Sequence, residues 1–531
     1  MSVIVCLGIT GIARAEVPAE VIDSLSAPDS IDTRIGTLEF NNGVPTEETA
    51  KSVFDTLYFT RALNVYNNSF RGASALALVK GFQDLGAKSG DVIVFSELLG
   101  SSSLFLTGNA DTVYYLAYVD LSDGPVVIEQ PSDGLGTIND MWFSWIIDIG
   151  RSGPDRGMGG KYLIVGPDYK GTLPEGGYFI AHSRTNTVLY AARAFISDGK
   201  DPKPAVKNVK QNLKIYPYVP GAFGTSIAQA LEGTVALAGE PKIPEMNFIE
   251  GSGKPVNTIP PSDYGFFELI NENVQNEPAT SYDVELAGQL AAIGIVHGKE
   301  FNPDERHKAL LTDAAAAGQA VGRSLQWRFA DAHPEWAHYP GSNWFLPLWE
   351  GGAFFETPPP TFADGRFTPL PATGARTLDS RTWFYYAYTL DSPGMIMQIP
   401  GVGSQYLASF LDNNDEAFDG ARTYKVKLPP NIPARAFWSF TLYDNQTRSM
   451  LATPQRYPRA GSQSYPSPAA EAADDGSTTV YFSPVQPDGV ARGNWIQTDP
   501  DKGWFMLLRL YSPLPSFFDK SWRPGEIEPV Q

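Results

Sequence analysis

The chain contains a single cysteine, Cys6, which lies in an apolar N-terminal run. Past that run there is no thiol, so no disulfide can staple the fold and stability must come from the size of the core. Histidine is also scarce: His182, His297, His307, His333 and His338 are the whole set. His333-Pro-Glu-Trp-Ala-His338 is the one cluster, but its five-residue separation misses a single helical face and Pro334 breaks a helix, so it is not the HExxH pattern and no metal site is expected. A GxSxG elbow is missing. Gly157-Met-Gly-Gly160 lacks the Lys-Ser/Thr that completes a phosphate loop. Positive charge is short as well, with 40 Lys and Arg against 59 Asp and Glu and a net charge of −19. That balance disfavours nucleic acid, whose phosphates need clustered Lys and Arg, and it disfavours anionic membranes while serving solubility. After the first fifteen residues no apolar stretch is long enough to cross a bilayer. No basic run, low-complexity tract or coiled-coil heptad occurs.

What is present points to β structure. Fifty Gly and 43 Pro favour short strands and turns, and 43% hydrophobic with 12% aromatic content is ample for packed cores. At the start, Ser2–Ile12 is apolar and Ala13-Arg-Ala15 is a small-x-small signal, so a secretory leader cleaved before Glu16 is expected, with a periplasmic or secreted location. The clearest strand is in Gly108–Pro131: Tyr114, Leu116, Tyr118 and Asp120 share one face, and Val113, Ala117, Val119 and Leu121 the other. Asp120-Leu-Ser-Asp-Gly-Pro125 supplies turn chemistry and Val126–Glu129 a return strand, which together predict a hairpin. Phe384–Pro400 echoes it. Met141–Ser144, Tyr162–Pro167, Gly177–Ile180 and Arg193–Phe195 find counterparts in Phe437–Phe440, Tyr481–Pro487, Gly493–Ile496 and Arg509–Tyr511, in the same order. Two copies of one β unit are expected.

In chain order, residues 1–15 form the leader and 16–89 an N-terminal arm with helices, predicted over 46–62 and 64–86. Residues 90–197 form the first β-sandwich unit, including a strand over Asn139–Gly150. Residues 198–335 form a connecting and helical module. Its helices fall over Asp283–Val296 and Asp304–Phe329, the second begun by Asn302 as cap and Pro303 in the first turn. Residues 336–379, with Trp336, Trp344, Trp349, Phe354 and Phe355, form an aromatic, Pro-rich junction, and 380–531 the second β-sandwich unit. The expected fold class is therefore mainly β with a helical module: two antiparallel jelly-roll or β-sandwich units separated by α-helices.

These residues resemble a paired bacterial architecture. Asn109–Tyr114, Asp120–Pro125, Asp140-Met-Trp142, Gly150-Arg151 and Tyr162–Pro167 are similar to the domain-of-unknown-function family numbered 1254. Phe437–Tyr443, Asn494-Trp495, Arg509–Tyr511 and Trp522-Arg-Pro-Gly525 are similar to the family numbered 1214, and Gly294…Gly298-Lys-Glu-Phe301 lies between the two. The resemblance implies a pair of β units with a helical segment, often exported. It implies no chemistry.

Chemistry is read from residues. Asp111 and Asp140 are candidates for a carboxylate pair in acid/base or glycosidic work, against the alternative that they hydrogen-bond turn backbone. Asn109, Thr112, Tyr114, Trp142 and Arg151 are candidates for orienting a ligand. Asp120 and Asp123 read as turn formers. Arg151, Arg193, Arg381 and Arg509 interrupt apolar strands and suit either bidentate recognition of a carboxylate or phosphate, or internal salt bridges. Tyr114, Tyr118, Trp142, Trp145, Tyr385, Tyr388, Trp438 and Trp495 can stack on sugars or aromatic ligands, or fill the cores. The first functional expectation is a hydrolase that needs no cofactor or metal, acting on a glycan or small organic substrate. The alternative is a non-catalytic envelope protein binding a glycan or small ligand. Homo-oligomerisation is a further option.

Overall fold

The computed structural model describes residues 17–346, 362–363, 366–367, 378–396 and 399–530. The expected leader, with Cys6, and most of the aromatic junction, including Trp349, Phe354 and Phe355, lie outside the described residues. The chain falls into two compact bodies divided between Arg61 and Ala62. The first carries a short helix, Ala19–Leu25, and an antiparallel sheet of Ser30–Thr33, Gly36–Asn41 and Val44–Pro45. Glu47–Asp84 is one continuous helix where the sequence predicts two. Within it the Asn68 side chain donates from Nδ2 to the Asn64 carbonyl at 2.8 Å.

The second body holds two β units. In the first the strands are β1 (Val113–Asp120), β2 (Val126–Gln130), β3 (Gly134–Asp140), β4 (Trp145–Gly150), β5 (Gly160–Val165), β6 (Phe179–His182), β7 (Thr187–Ala194) and β8 (Lys214–Pro217). One sheet has the core order β1-β7-β3-β4, extended beyond β1 by Val92–Val94 and Phe248–Glu250. The other has the order β6-β5-β2-β8. The two share an apolar cluster: Val113, Tyr115, Ala117 and Val119 of β1 and Val188, Tyr190 and Ala192 of β7 meet Ile128, Tyr162, Ile164 and Ile215 from the other sheet. Each fully buried aliphatic side chain contributes roughly 1.5–3 kcal/mol.

This arrangement corrects the predicted hairpin over residues 108–131. Both strands exist, and the period-two alternation of β1 is real, but β1 and β2 do not pair with each other. β1 pairs with β7, and β2 with β5 and β8. The Asp120–Pro125 turn carries the chain from one sheet to the other. The hairpin in this region is β3–β4, closed by a tight turn with Phe143 at φ 54°, where the sequence predicts an uninterrupted strand over Asn139–Gly150. β8 and Phe248–Glu250 come from the stretch predicted as a connector.

The second unit repeats the first. Its strands are β9 (Ser404–Ser409), β10 (Tyr424–Leu428), β11 (Ala434–Asp444), β12 (Arg459–Gly461), β13 (Thr478–Ser483), β14 (Trp495–Gln497), β15 (Trp504–Pro513) and β16 (Glu528–Pro529). The sheets run β9-β15-β11-β12 and β14-β13-β10-β16, so every strand takes the place of the one eight positions earlier. Phe440 and Trp504 of one sheet pack on Phe482 and Tyr424 of the other. Pairing directions match as well, including the parallel pairs β5 with β6 and β13 with β14; Val92–Val94 and Phe248–Glu250 add one more parallel pair to the first unit. The expectation of antiparallel sheets throughout is corrected at these pairs. So is the echo placed at Phe384–Pro400: Leu378–Ala387 is a helix with Trp383–Ala387 all buried, Pro393–Ile396 is a short helix, and the true counterpart of β1 begins at Ser404.

Helices pack beside the two units. Tyr264–Asn276, Val284–Ala292 and Glu305–Trp327 are capped by Asp263, Asp283 and Asp304, whose carboxylates accept the N–H of Gly265, Leu286 and His307. Asp304, not Asn302, is the cap of the long helix. Tyr66 stacks at 4.3 Å on Phe266, and Phe70 meets Tyr386 at 5.6 Å. Among the described residues no helix is long and apolar enough to cross a membrane.

Candidate functional site

Alternation along β1, β7 and β3 sends one set of side chains into the shared core and the other set to the opposite face of the sheet. On that face Tyr114 and Leu116 of β1, Leu189, Ala191 and Arg193 of β7, and Leu135 and Thr137 of β3 form one wall of a cavity of about 150 Å³. The second unit supplies Tyr406 from β9 and Arg509 from β15. Leu78 and Phe82 of the Glu47–Asp84 helix, the loop around Phe105–Asn109 and the segment around Tyr388–Met395 complete the lining. Apolar side chains dominate. Among the described residues Arg193 and Arg509 are the only charged ones in the lining, and none of the lining residues is a carboxylate.

The two arginines are equivalent positions of the repeat. Arg193 lies opposite Tyr114 in the β1–β7 register, and Arg509 lies opposite Tyr406 in the β9–β15 register. Arg509 is only 2% exposed. It donates to the Thr107 carbonyl at 2.6 Å and to the Tyr443 hydroxyl, and its Nε has no partner among the described residues. Its guanidinium lies 5.2 Å from the centre of the Tyr406 ring. Arg193 donates from Nη2 to Ser404 Oγ at 2.9 Å, and Ser404 Oγ meets the Tyr406 hydroxyl at 2.8 Å. Burial alone would raise the Tyr406 phenol, but the charges of Arg193 and then Arg509 outweigh it and hold the group below its ordinary value. Burial pushes the Tyr114 phenol up, with Arg193 opposing.

Of the residues singled out in the sequence, Asn109 and Tyr114 line this cavity and bond to each other, Asn109 Nδ2 to the Tyr114 hydroxyl at 2.5 Å. Asn109 Oδ1 also accepts from the Asp111 N–H and from Thr112 Oγ1, closing the loop that enters β1. Arg193, Arg509 and Tyr388, also singled out, line it too, whereas the proposed acid/base pair, Trp142 and Arg151 lie elsewhere. Asp111 is fully buried between the units, accepting from Arg459 Nε at 2.6 Å, Ser439 Oγ at 2.6 Å and the Tyr511 hydroxyl at 3.0 Å. Asp140 ends β3 and takes the N–H groups of Trp142 and Ser144, with Arg184 Nη2 at 3.1 Å from its other oxygen. Burial raises its carboxyl, and Arg184 opposes. Asp444 ends β11 at the same register and takes the N–H of Gln446 in the same way, which identifies a turn device shared by both units. Trp142 is buried, donating to Ser281 Oγ. Arg151 lies over the Phe195 ring at 4.5 Å and pairs with Asp133 on the surface. The structure thus does not bring Asp111, Asp140 and Arg151 together at the cavity.

The reading from sequence missed Tyr406, Thr107 and the lining residues Thr389, Leu390, Ser392, Gly394 and Met395, though it singled out Tyr388. The echo of Arg193 in Arg509 carried the signal for Tyr406: aligning the arginines and stepping to the neighbouring strand sets it opposite Tyr114. Behind the Tyr388–Met395 segment, Asp148 of β4 accepts the Gly394 N–H at 3.1 Å, and burial pushes its carboxyl up to about 6. Among the described residues no group of three or more His, Cys, Asp or Glu is placed to hold a metal ion.

The fold and cavity define a duplicated, mainly β protein with a small-molecule-sized pocket between its repeats. Its two halves match the families already resembled in sequence: residues 90–217 match a protein of unknown function, DUF1254, and residues 403–515 a second, DUF1214. The DUF1254 match ends at β8, and the DUF1214 match opens at β9. The chain is similar to the crystal structure of the VPA0106 protein from Vibrio parahaemolyticus at 16% identity, with 89% of this chain and 100% of that one covered and a TM-score of 0.49. It is also similar to an uncharacterised protein from Burkholderia cenocepacia at 11% identity, covering 91% and 97%, with a TM-score of 0.36. No curated protein matches the chain.

Proposed function

We propose that the protein binds a small organic ligand in the pocket between its β units, as an exported, non-catalytic component of the cell envelope. The observation that carries this reading is the pocket itself: about 150 Å³, lined mostly by apolar side chains from both repeats, with a few convergent polar groups. A glycan, with hydroxyls all round, is a poorer match to that lining than a compact apolar molecule. The alternative of a hydrolase draws less support, because Asp111 and Asp140 spend their oxygens on protein partners away from the cavity. Each unit wraps its eight strands into two facing sheets, which supports reading both as sandwiches related to the jelly roll.

The test is a thermal-shift screen of small apolar molecules, run beside an ester, glycoside and amide turnover screen. Binding to the native state alone raises stability by about 2.7 kcal/mol at a ligand concentration of 100 Kd, enough to be read as a shift in Tm. Ligand-dependent stabilisation without turnover is expected. Turnover that disappears in Asp111→Asn or Asp140→Asn while the variant keeps the native circular-dichroism spectrum would replace this reading with the hydrolase. Export is tested by fractionation and N-terminal sequencing, which should begin at Glu16.

A further inference from the structure

Arg193 and Arg509 face the cavity without counter-ions. Among the described residues neither has a carboxylate within ion-pair distance; of the buried acids nearby, Asp111 is held by Arg459, Ser439 and Tyr511, and Asp148 accepts the Gly394 N–H. Tyr511 stands between them, its ring 5.8 Å from the Arg193 guanidinium. Among the described residues the buried Nε–H of Arg509 has no partner. Burying a cation without an anion is unfavourable by several kcal/mol unless hydrogen bonds and an opposite charge compensate. Ring faces and a carbonyl supply part of that compensation here. What is lacking is a negative charge, and the cavity is the space beside both guanidiniums.

We propose that the ligand is a small apolar carboxylate, with its carboxylate set against Arg193, Arg509 and the Tyr406 hydroxyl and its hydrocarbon body against Leu116 and Leu189. This rests on the reading of the cavity as a ligand pocket and names the ligand's class. A dry cavity near 150 Å³ holds a benzene-sized molecule, so a ligand of about six to ten non-hydrogen atoms fits. Guanidinium binds carboxylate and phosphate alike. The apolar lining favours the carboxylate, because it is a singly charged and less hydrated group.

Isothermal titration of the full chain with benzoate, hexanoate, benzamide, hexanamide and phenyl phosphate tests both levels. Each acid is expected to bind at least tenfold tighter than its amide. Arg509→Met and, as a second variant, Arg193→Met should each cut the acid-to-amide affinity ratio at least tenfold. The acid–amide comparison is made on the unaltered protein, so it stands even if a variant fails to fold. Equal affinity for acids and amides would overturn the carboxylate assignment and leave the pocket reading intact. Tighter binding of phenyl phosphate than of benzoate would also overturn the carboxylate assignment. No binding by any of the five would overturn the pocket reading and this inference together.

Discussion

Asp111 and Arg459 stand 348 residues apart in the chain and form an ion pair in which both side chains are 0% exposed, Nε to Oδ1 at 2.6 Å. Asp111 enters β1 of the first unit and Arg459 opens β12 of the second, so the pair ties the two repeats. Removing one partner leaves the other charged, desolvated and unpaired, which typically destabilises by about 3–5 kcal/mol. Asp111→Asn is expected to lower stability by that amount in urea unfolding while leaving the denaturant slope unchanged. A loss below about 1 kcal/mol would show that the pair does not hold the units together.

The pH profile should carry the mark of Asp148. Burial raises its carboxyl from 3.8 to about 6, with the Gly394 N–H opposing. A raised acid binds its proton more tightly in the folded chain than in the unfolded one. Its contribution is therefore fully present below pH 3.8 and is lost as pH rises through about 6, by roughly 3 kcal/mol at most. His338 works the other way in an overlapping window: burial lowers it to about 4, so stability falls as pH drops from 6.5 towards 4. The difference between wild type and Asp148→Asn isolates the carboxyl. Wild type is expected to lose stability relative to the variant between pH 4 and 7. Parallel curves over that range would contradict the assignment.

Much of this fold was legible, and the failures are instructive. Arg193-Ala-Phe195 and Arg509-Leu-Tyr511 stand in true register because a charged residue inside an apolar strand is a rare local mark. The alternation of β1 was equally readable. Its partner was not: Asp120–Pro125 encodes a reversal of the chain, but whether the next strand pairs or crosses to the facing sheet is decided by β5, β7 and β8, far along the sequence. Phe384–Ala387 misled for another reason. A helix buried on all sides shows no amphipathic stripe, so its aromatic run reads as well for a strand. Asp111 and Asp140 looked like a catalytic pair because their real partners, Arg459 and the Trp142 and Ser144 amides, carry no sequence signal.

Helix packing gives a third test. In Glu305–Trp327 a Cβ on Gly318 would come within 2.1 Å of the Tyr66 ring, and one on Gly322 within 2.6 Å of the Tyr386 ring. Alanine improves helix propensity by about 1 kcal/mol, but forcing atoms into a filled space costs about 1–3 kcal/mol. Gly318→Ala and Gly322→Ala are expected to lower Tm. Gly288, in Val284–Ala292, meets nothing within 4 Å, so Gly288→Ala should raise it. All three moving in one direction would mean that the ring contacts do not limit these positions.

The pocket itself can be filled from one strand without touching the core. Along β7, Tyr190 and Ala192 point into the cluster shared by the two sheets, while Ala191 points the other way, opposite Leu116 and Thr137, which also line the cavity. Phenylalanine at 191 would occupy space now open to a ligand and lie on an apolar wall, so folding stability should change by less than about 1.5 kcal/mol. At 192 the same ring would have to enter a packed interior, with a loss of about 1–3 kcal/mol or more. The expected result is that Ala191→Phe folds normally and loses the ligand-dependent rise in Tm, whereas Ala192→Phe is destabilised. If Ala191→Phe kept the full ligand response, the ligand would bind somewhere other than between the repeats.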